Sequence, residues 1–413
     1  MRAANGIATA RKTGFPLLFS DPKSSLQRAG HFLQKSSPPT AEVDVTNLLS
    51  SPLSCLTIRL GAVVENYHRC ARLAAPAAIA PTVKADAYGL GALPIATALT
   101  AAGADTFFVA RLEEGISLRT HLPKARIFVL DGAEPDRIEA LHHYALTPVL
   151  NSLAQISAWS ASAPARARLD AAVHVDTGMN RLGLAPDELS ILSAEAAKRL
   201  GHLRLVLVMS HLACADEPAS PTNRTQLARF REALAMLPPA PASLAASAGL
   251  LLGRDYVFDI ARPGLSLLGG DPVHHDQPNP FAVAARLSAR VLQVRRIDKD
   301  QSVGYGATFR SARPTVLATV ALGYADGLMR AISNRGSGAI GGTLVPVVGR
   351  VSMDVTVLDL GPHSTARAGD EVEFFGDQIA LGAHANAAGT NAYEVLTRIG
   401  PRVKRCYVNE VAA

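Results

Sequence analysis

Lys84 closes an apolar run, Ala80-Pro81-Thr82-Val83, a place where a charged side chain is seldom found. A lysine amine shielded from water has a lowered pKa, which leaves a nucleophile able to form an imine with an aldehyde. The plainer reading is a lysine whose stem lies on apolar surface while its amine reaches solvent. Other polar residues also follow apolar runs. Asp86 and Tyr88-Gly89 come after Lys84, and His174, Asp176, Gly178 and Arg181 cluster further on. His211, then Ser247 with Gly249, then Arg262 with Gly264 complete the series. Glycines at the last two places suit a phosphate, because backbone N–H groups can approach an anion closely there. An imine-forming lysine beside a phosphate pocket points to pyridoxal phosphate.

The elements that must position these residues can be read from the apolar runs. Strands are expected at 79–85, 106–110, 126–130, 146–150, 171–175, 203–210, 243–247 and 257–261. Helical stretches such as 92–102, 113–118 and 225–237 lie between them. Parallel neighbours need helical crossovers, so eight strands with helical spacers predict a (β/α)8 barrel of the TIM type, an α/β fold. A doubly wound sheet is the competing α/β arrangement. In a barrel the polar residues named above all fall at the C-terminal ends of strands, where barrel enzymes place their chemistry.

Near residue 285 the pattern changes. Strands are expected at 291–297, 315–321, 345–348, 355–358 and 371–375, with Gly/Pro/Asp turns between them and a helix at 392–397. This reads as a smaller, mostly β C-terminal domain. The expected domains are an N-terminal extension over 1–54, a barrel over 55–286 and a β-rich domain over 287–413. The extension carries Ser36-Ser37-Pro38-Pro39 and no sustained periodicity, so a disordered tail is favoured over a targeting presequence.

Composition narrows the function classes. With 413 residues, 48% hydrophobic and 18% charged, the chain has ample material for a large core. No apolar stretch approaches the roughly 18 residues of a membrane helix. Of the net charge of +6, half comes from residues 1–50, where six Lys/Arg face three Asp/Glu. The remainder is nearly neutral and holds the one Trp, which speaks against nucleic acid as a partner. Cys55, Cys70, Cys214 and Cys406 are scattered without a CxxC pair, as expected of free thiols in a reducing cytoplasm. No metal is expected, since His211 and Asp216 supply two candidate ligands and a third is missing.

Longer segments carry a resemblance. Val83-Lys84-Ala85-Asp86-Ala87-Tyr88-Gly89 resembles the cofactor-lysine motif of the alanine racemases. The likeness continues in Val175-Asp176-Thr177-Gly178-Met179-Asn180-Arg181-Leu182-Gly183, Ser210-His211-Leu212-Ala213, Arg262-Pro263-Gly264 and Tyr305-Gly306-Ala307-Thr308. It then runs through Gly323-Tyr324-Ala325-Asp326-Gly327, Gly349-Arg350-Val351-Ser352-Met353-Asp354 and Ala392-Tyr393-Glu394. These blocks span roughly residues 55–410 in the family's order, and the family's barrel plus β domain is the architecture expected above.

The resemblance implies an isomerase that interconverts L- and D-alanine with pyridoxal phosphate, supplying D-alanine for peptidoglycan. Lys84 would carry the cofactor and act as one acid/base. Tyr305, from the β domain of a partner subunit, would be the other, so a homodimer with shared sites is implied. Arg262 would face the pyridine nitrogen, and His211 would stand beside it. Tyr88, Ser247, the backbone of Gly264 and Leu265, and Tyr393 correspond to the phosphate pocket. Arg181 and Met353 would meet the substrate carboxylate, with Tyr324 and Asp354 near the entrance. Two departures stand out. In much of the family a carbamylated lysine occupies the place of His174 and fixes the neighbouring arginine; here Arg181 must be oriented by chloride, by Asp176 or by the imidazole. Ala246 stands where an asparagine often precedes the phosphate-pocket serine. The other readings are a racemase of broader specificity, a basic amino-acid decarboxylase of similar architecture, and a non-catalytic pyridoxal-phosphate-binding protein. Arg262 at the pyridine nitrogen disfavours the decarboxylase, and the β domain disfavours the binding protein.

Overall fold

The structure is a computed structural model that describes residues 52–273 and 278–410. The extension expected over 1–54 lies, but for its last three residues, outside the described residues.

The chain opens with strand β1 (Ser54–Arg59) and helix α1 (Leu60–Ala74). Eight parallel strands follow: β2 (Ala78–Ile79), β3 (Thr106–Val109), β4 (Arg126–Val129), β5 (Thr147–Leu150), β6 (Leu169–His174), β7 (Leu203–Met209), β8 (Ala242–Ser243) and β9 (Ile260–Ala261). β3 to β8 form one six-stranded sheet in sequence order, and β2 pairs with β9. Bridges from Thr82 to Phe108 and from Ala246 to Arg262 join the two sets into a closed ring. The (β/α)8 barrel is therefore present; each strand overlaps an apolar run, but β2 and β8 share only Ile79 and Ser243 with the runs expected at 79–85 and 243–247.

Between the strands lie α2 (Ala92–Ala101), α3 (Leu112–His121), α4 (Ile138–His143), α5 (Leu153–Ala161), α6 (Pro186–Ala194) and α7 (Pro221–Met236). Proline opens both α6 and α7, a position where its missing N–H costs nothing. Ser152 caps α5 by accepting the Gln155 N–H. The barrel is filled rather than hollow. Ala80, Phe108, Phe128, Val149, Ala172, Leu207 and Met209 form a separate buried cluster inside it. The Phe108 and Phe128 rings stack there at 4.7 Å.

The second region is built on β10 (Ala285–Ile297), which pairs with β1, with β13 (Thr315–Val320) and with β17 (Glu371–Phe375). β11 (Ser302–Val303) and β12 (Phe309–Arg310) make a small hairpin. β14 (Ser337–Ile340), β15 (Thr343–Pro346), β16 (Thr356–Asp359) and β18 (Lys404–Val408) extend the main sheet. Helices α8 (Leu381–Ala388) and α9 (Ala392–Arg398) precede β18. The sequence pattern predicts α9 and carries no signal for α8.

One boundary differs from expectation. The barrel is expected from residue 55, yet β1 lies antiparallel to β10 and parallel to β18. Its alternating burial, every second residue inward, fits a strand packed on one face. The start of the described chain is thus woven into the β-rich sheet before the barrel begins.

Candidate active site

Lys84 does not end a strand; it opens a turn. Ala85, Asp86, Ala87 and Tyr88 all have φ between 50° and 58°, a left-handed turn made without glycine. Such a conformation costs L-residues about 1–2 kcal/mol each, so contacts from outside the turn must hold it. Asp86 receives Gly91 N–H on its carbonyl at 2.9 Å and Ala92 N–H on its carboxylate at 2.7 Å. Arg405 donates to the Gly89 carbonyl, and the Tyr407 hydroxyl donates to that of Leu90 at 2.9 Å. Only glycine fits at 89, since a Cβ there would stand 2.8 Å from the Leu396 carbonyl oxygen.

The turn delivers Lys84 into a cavity of about 1520 Å³ at the C-terminal end of the barrel. Burial, then the charge of Arg181, lowers the Lys84 pKa, the direction the sequence led one to expect. Arg262, 4% exposed, sits above the barrel plug with its Cζ 5.8 Å from the Phe108 ring centre. Its guanidinium donates to the Ser210 carbonyl at 2.6 Å, to the Ser243 hydroxyl, and to His211 Nδ1 at 3.5 Å. Burial pulls its pKa down to about 10, which still leaves it cationic at neutral pH. Since arginine only donates, His211 Nδ1 accepts and the imidazole proton is on Nε2. Burial and the charges of Arg262, Arg181 and Lys84 hold that imidazole well below its ordinary value.

At the other end of the cavity the Ser247 hydroxyl accepts N–H groups from Gly264 at 3.0 Å and Ser266 at 3.1 Å. Leu265 N–H lies between them. A Cβ on Gly264 would come within 2.1 Å of the Tyr88 hydroxyl, so only glycine allows that side chain in. Tyr88 and Tyr393 approach at 5.8 Å between ring centres, and burial raises both phenol pKa values, that of Tyr393 to about 12. Ser266 Oγ is buried without a hydrogen-bond partner.

His174 is buried, and both it and Arg181 line the cavity. Its Nδ1 meets Asn151 Oδ1 at 2.8 Å, and burial with the charges of Arg262 and Arg181 takes its pKa to about 4. Asp176 makes no ion pair with Arg181 among the described residues; its carboxylate accepts the N–H groups of Gly178, Met179 and Asn180 at 2.8–2.9 Å.

Lys84, Tyr88, His174, Arg181, His211, Ser247, Arg262, Gly264 and Leu265 line this one cavity together with Tyr393, whereas Asp86, Gly89, Asp176 and Gly178 do not. Nor do Tyr305 and Met353. They stand 71% and 53% exposed, with Tyr324 also exposed. Tyr324 N–H donates to the Ser352 carbonyl and Ala325 N–H to that of Met353, so these two loops are zipped together. Asp354 is held by Arg402 at 2.7 Å. Sequence reasoning missed Asn151, Ser243, Glu114 and Arg405. The first two follow or end barrel strands, so inspection of every strand end would have found them.

Family models agree with this layout. The N-terminal domain of alanine racemase matches residues 58–272, and the C-terminal domain matches 284–407. A catabolic alanine racemase of Agrobacterium fabrum is 46% identical over 357 residues, covering 86% of this chain and 92% of the relative. A biosynthetic alanine racemase of the same organism is 43% identical over 366 residues, covering 86% and 93%. Among solved structures, alanine racemase from Bartonella henselae with covalently bound pyridoxal phosphate superposes with a TM-score of 0.83 at 38% identity. It is matched over its whole length by 87% of this chain. The biosynthetic enzyme from Pseudomonas aeruginosa gives 0.82 at 35% identity, with the same coverage of both chains. With both domain models in order over most of the chain and relatives this similar along nearly their full length, the chain belongs to the alanine racemase family.

Proposed function

We propose that this protein is an alanine racemase that binds pyridoxal phosphate through Lys84 and works as a homodimer. The observation that carries this reading is the single barrel-mouth cavity uniting a pKa-lowered Lys84, the buried Arg262 and the Ser247–Gly264 cradle.

The residues present fit the cofactor. The cradle supplies hydroxyls from Ser247, Tyr88 and Tyr393 and the N–H of Leu265 for a phosphate, at a glycine that no other residue replaces. Arg262 has five N–H donors and commits three of them to Ser210, Ser243 and His211. The other two remain for a pyridine nitrogen, to which an arginine donates without giving up a proton. The chemistry supplied by bound pyridoxal phosphate is acidification of the Cα–H of an amino acid. Lys84 takes or returns the proton at Cα on one face. Tyr305 of the partner subunit does so on the other, its phenol oxygen presented by an exposed turn. Arg181, with Met353 of the partner subunit, holds the substrate carboxylate.

The exposure of Tyr305, Met353 and Tyr324 supports the shared-site dimer, because aromatic and thioether side chains standing together on a surface are common at interfaces. The physiological direction assigned here is D-alanine supply for peptidoglycan. Four free cysteines suit a reducing cytoplasm, and no described helix is long and apolar enough to cross a membrane. The test is D-alanine formation from L-alanine by the purified protein with pyridoxal phosphate, read on a chiral column. Conversion to an equal mixture is expected. No conversion, with the cofactor still fixed on Lys84 by borohydride, would remove Tyr305 from its role and point to another amino acid or to a binding protein.

A further inference from the structure

Lys84 owes its position to a turn that should not persist unaided, and Glu114 on helix α3 reaches across to hold it. One carboxylate oxygen of Glu114 accepts the Ala85 N–H at 2.8 Å. The other accepts Ala110 N–H at 2.8 Å and Arg111 N–H at 3.1 Å, the two amides that join β3 to α3. We infer that Glu114 is the positioning residue for Lys84: its carboxylate clamps the first residue of the left-handed turn to the end of the neighbouring barrel strand, fixing where the amine enters the cavity.

Three features support this. The Ala85 amide is the first backbone donor after Lys84, and in a left-handed turn it points away from the helical partners it would otherwise have. Among the described residues its acceptor is the Glu114 side chain. The charge of Glu114 acts on the Lys84 amine directly, favouring its protonated form against the larger effects of burial and Arg181. The far end of the turn is held separately by Arg405 and Tyr407, so Glu114 secures the end that carries the lysine. A carboxylate is required because three donors converge on two oxygens; an amide can face one side of the clamp only by turning its NH2 group toward the other.

This inference rests on the reading of Lys84 as the cofactor-binding lysine, and the experiment separates the two. Glu114→Gln keeps size and shape. Its carbonyl oxygen can satisfy Ala110 and Arg111, which preserves the start of α3, while its NH2 opposes the Ala85 N–H. Glu114→Asp keeps the charge but is one methylene too short to span both sides. Each variant is expected to bind pyridoxal phosphate at least tenfold more weakly. In the cofactor-free protein, each should alter the rate at which an amine reagent labels Lys84. Loss should fall on kcat more than on KM for alanine, with the melting temperature within a few degrees of wild type. Glu113→Gln, on the exposed neighbour that pairs with Arg137, serves as the control and should change none of these. In the wild-type protein, the Ala85 amide should exchange with deuterium slowly.

Rapid exchange at Ala85 overturns the inference even if both variants fail to fold. Wild-type cofactor affinity and labelling in Glu114→Gln also overturn it, as does a loss confined to melting temperature. If instead the wild-type protein itself takes up no cofactor on Lys84, the functional reading fails and the clamp remains to be judged by labelling and exchange alone.

Discussion

Asn151 Oδ1 accepts the Nδ1–H of His174 at 2.8 Å, while the Asn151 amide group donates to the carbonyls of Leu130 and Val149, both at 2.9 Å. With its NH2 committed, Asn151 can only accept from the imidazole, so His174 is the Nδ1–H tautomer and keeps a lone pair on Nε2. Where much of the family carries a negative carbamate, this site is built around a neutral ring. A neutral ring needs no carbon dioxide to form. Removing CO2 and bicarbonate from the assay is therefore expected to leave kcat within twofold of its value in air. A severalfold loss restored by bicarbonate would contradict a neutral His174.

The same burial ties folding to pH. His174 and His384 both titrate near 4 in the folded protein, against an ordinary value of 6.5, chiefly because burial disfavours the charged ring. His384 Nδ1 also meets the Phe374 carbonyl at 3.0 Å. As pH falls through 6.5 the unfolded chain takes up protons that the folded protein refuses. Stability is thus intact above 6.5 and is lost progressively down to about pH 4. At pH 4.8 each ring should cost about 2 kcal/mol. His384 stands outside the cavity, so His384→Gln is the cleaner probe. Urea unfolding at pH 7.0 and 4.8 should give that variant a smaller difference than wild type, by about 2 kcal/mol.

Gly264→Ala tests the cradle. The added methyl would lie 2.1 Å from the Tyr88 hydroxyl and 2.7 Å from its Cζ, and the ring is backed by Tyr393. The ring must withdraw, taking a phosphate-facing hydroxyl with it. Cofactor affinity measured by equilibrium dialysis should fall at least tenfold with the melting temperature little changed. Unaltered affinity would place the phosphate elsewhere.

At Arg262 a lysine keeps the charge but not the fork. One ammonium cannot reach the Ser210 carbonyl, the Ser243 hydroxyl and His211 together while also facing the cavity. Arg262→Lys is expected to lower kcat by about 100-fold, leaving Lys84 still able to be fixed to the cofactor by borohydride, on the order of two lost charge-assisted hydrogen bonds. Near-normal kcat would show that charge alone suffices.

The barrel was legible because its strands are short buried apolar runs separated by helical spacers, a pattern shared with the doubly wound sheet but counted here to eight strands. The cavity followed from it, since strand ends converge. What stayed hidden depends on long-range contacts. β1 alternates cleanly, but nothing local says that Thr57 will lie beside Arg286 and Cys406. The left-handed turn at 85–88 is written in Ala, Asp, Ala and Tyr, of which only Asp86 is a residue that tolerates that conformation readily. It exists because Glu114, Arg405 and Tyr407 hold it from elements near and far in sequence. Helix α8 is not legible in the sequence because its Ala, Gly and Asn residues give little periodic signal.

Tyr305 is the residue on which the dimer stands or falls. It is 71% exposed and belongs to no cavity of its own chain that holds Lys84. A base at that position can serve catalysis only by entering another subunit's barrel mouth. Lys84→Ala and Tyr305→Phe should each abolish racemisation alone. Mixed after reversible dissociation, half the dimers will pair one chain of each kind, and each such dimer will hold one intact site of two. Activity should return to about a quarter of wild type, the value set by two-fold symmetry and random pairing. The mixed dimer can be verified independently by a mass tag on one chain. If exchange is verified and no activity returns, Tyr305 acts within its own chain or not at all, and the shared site is wrong.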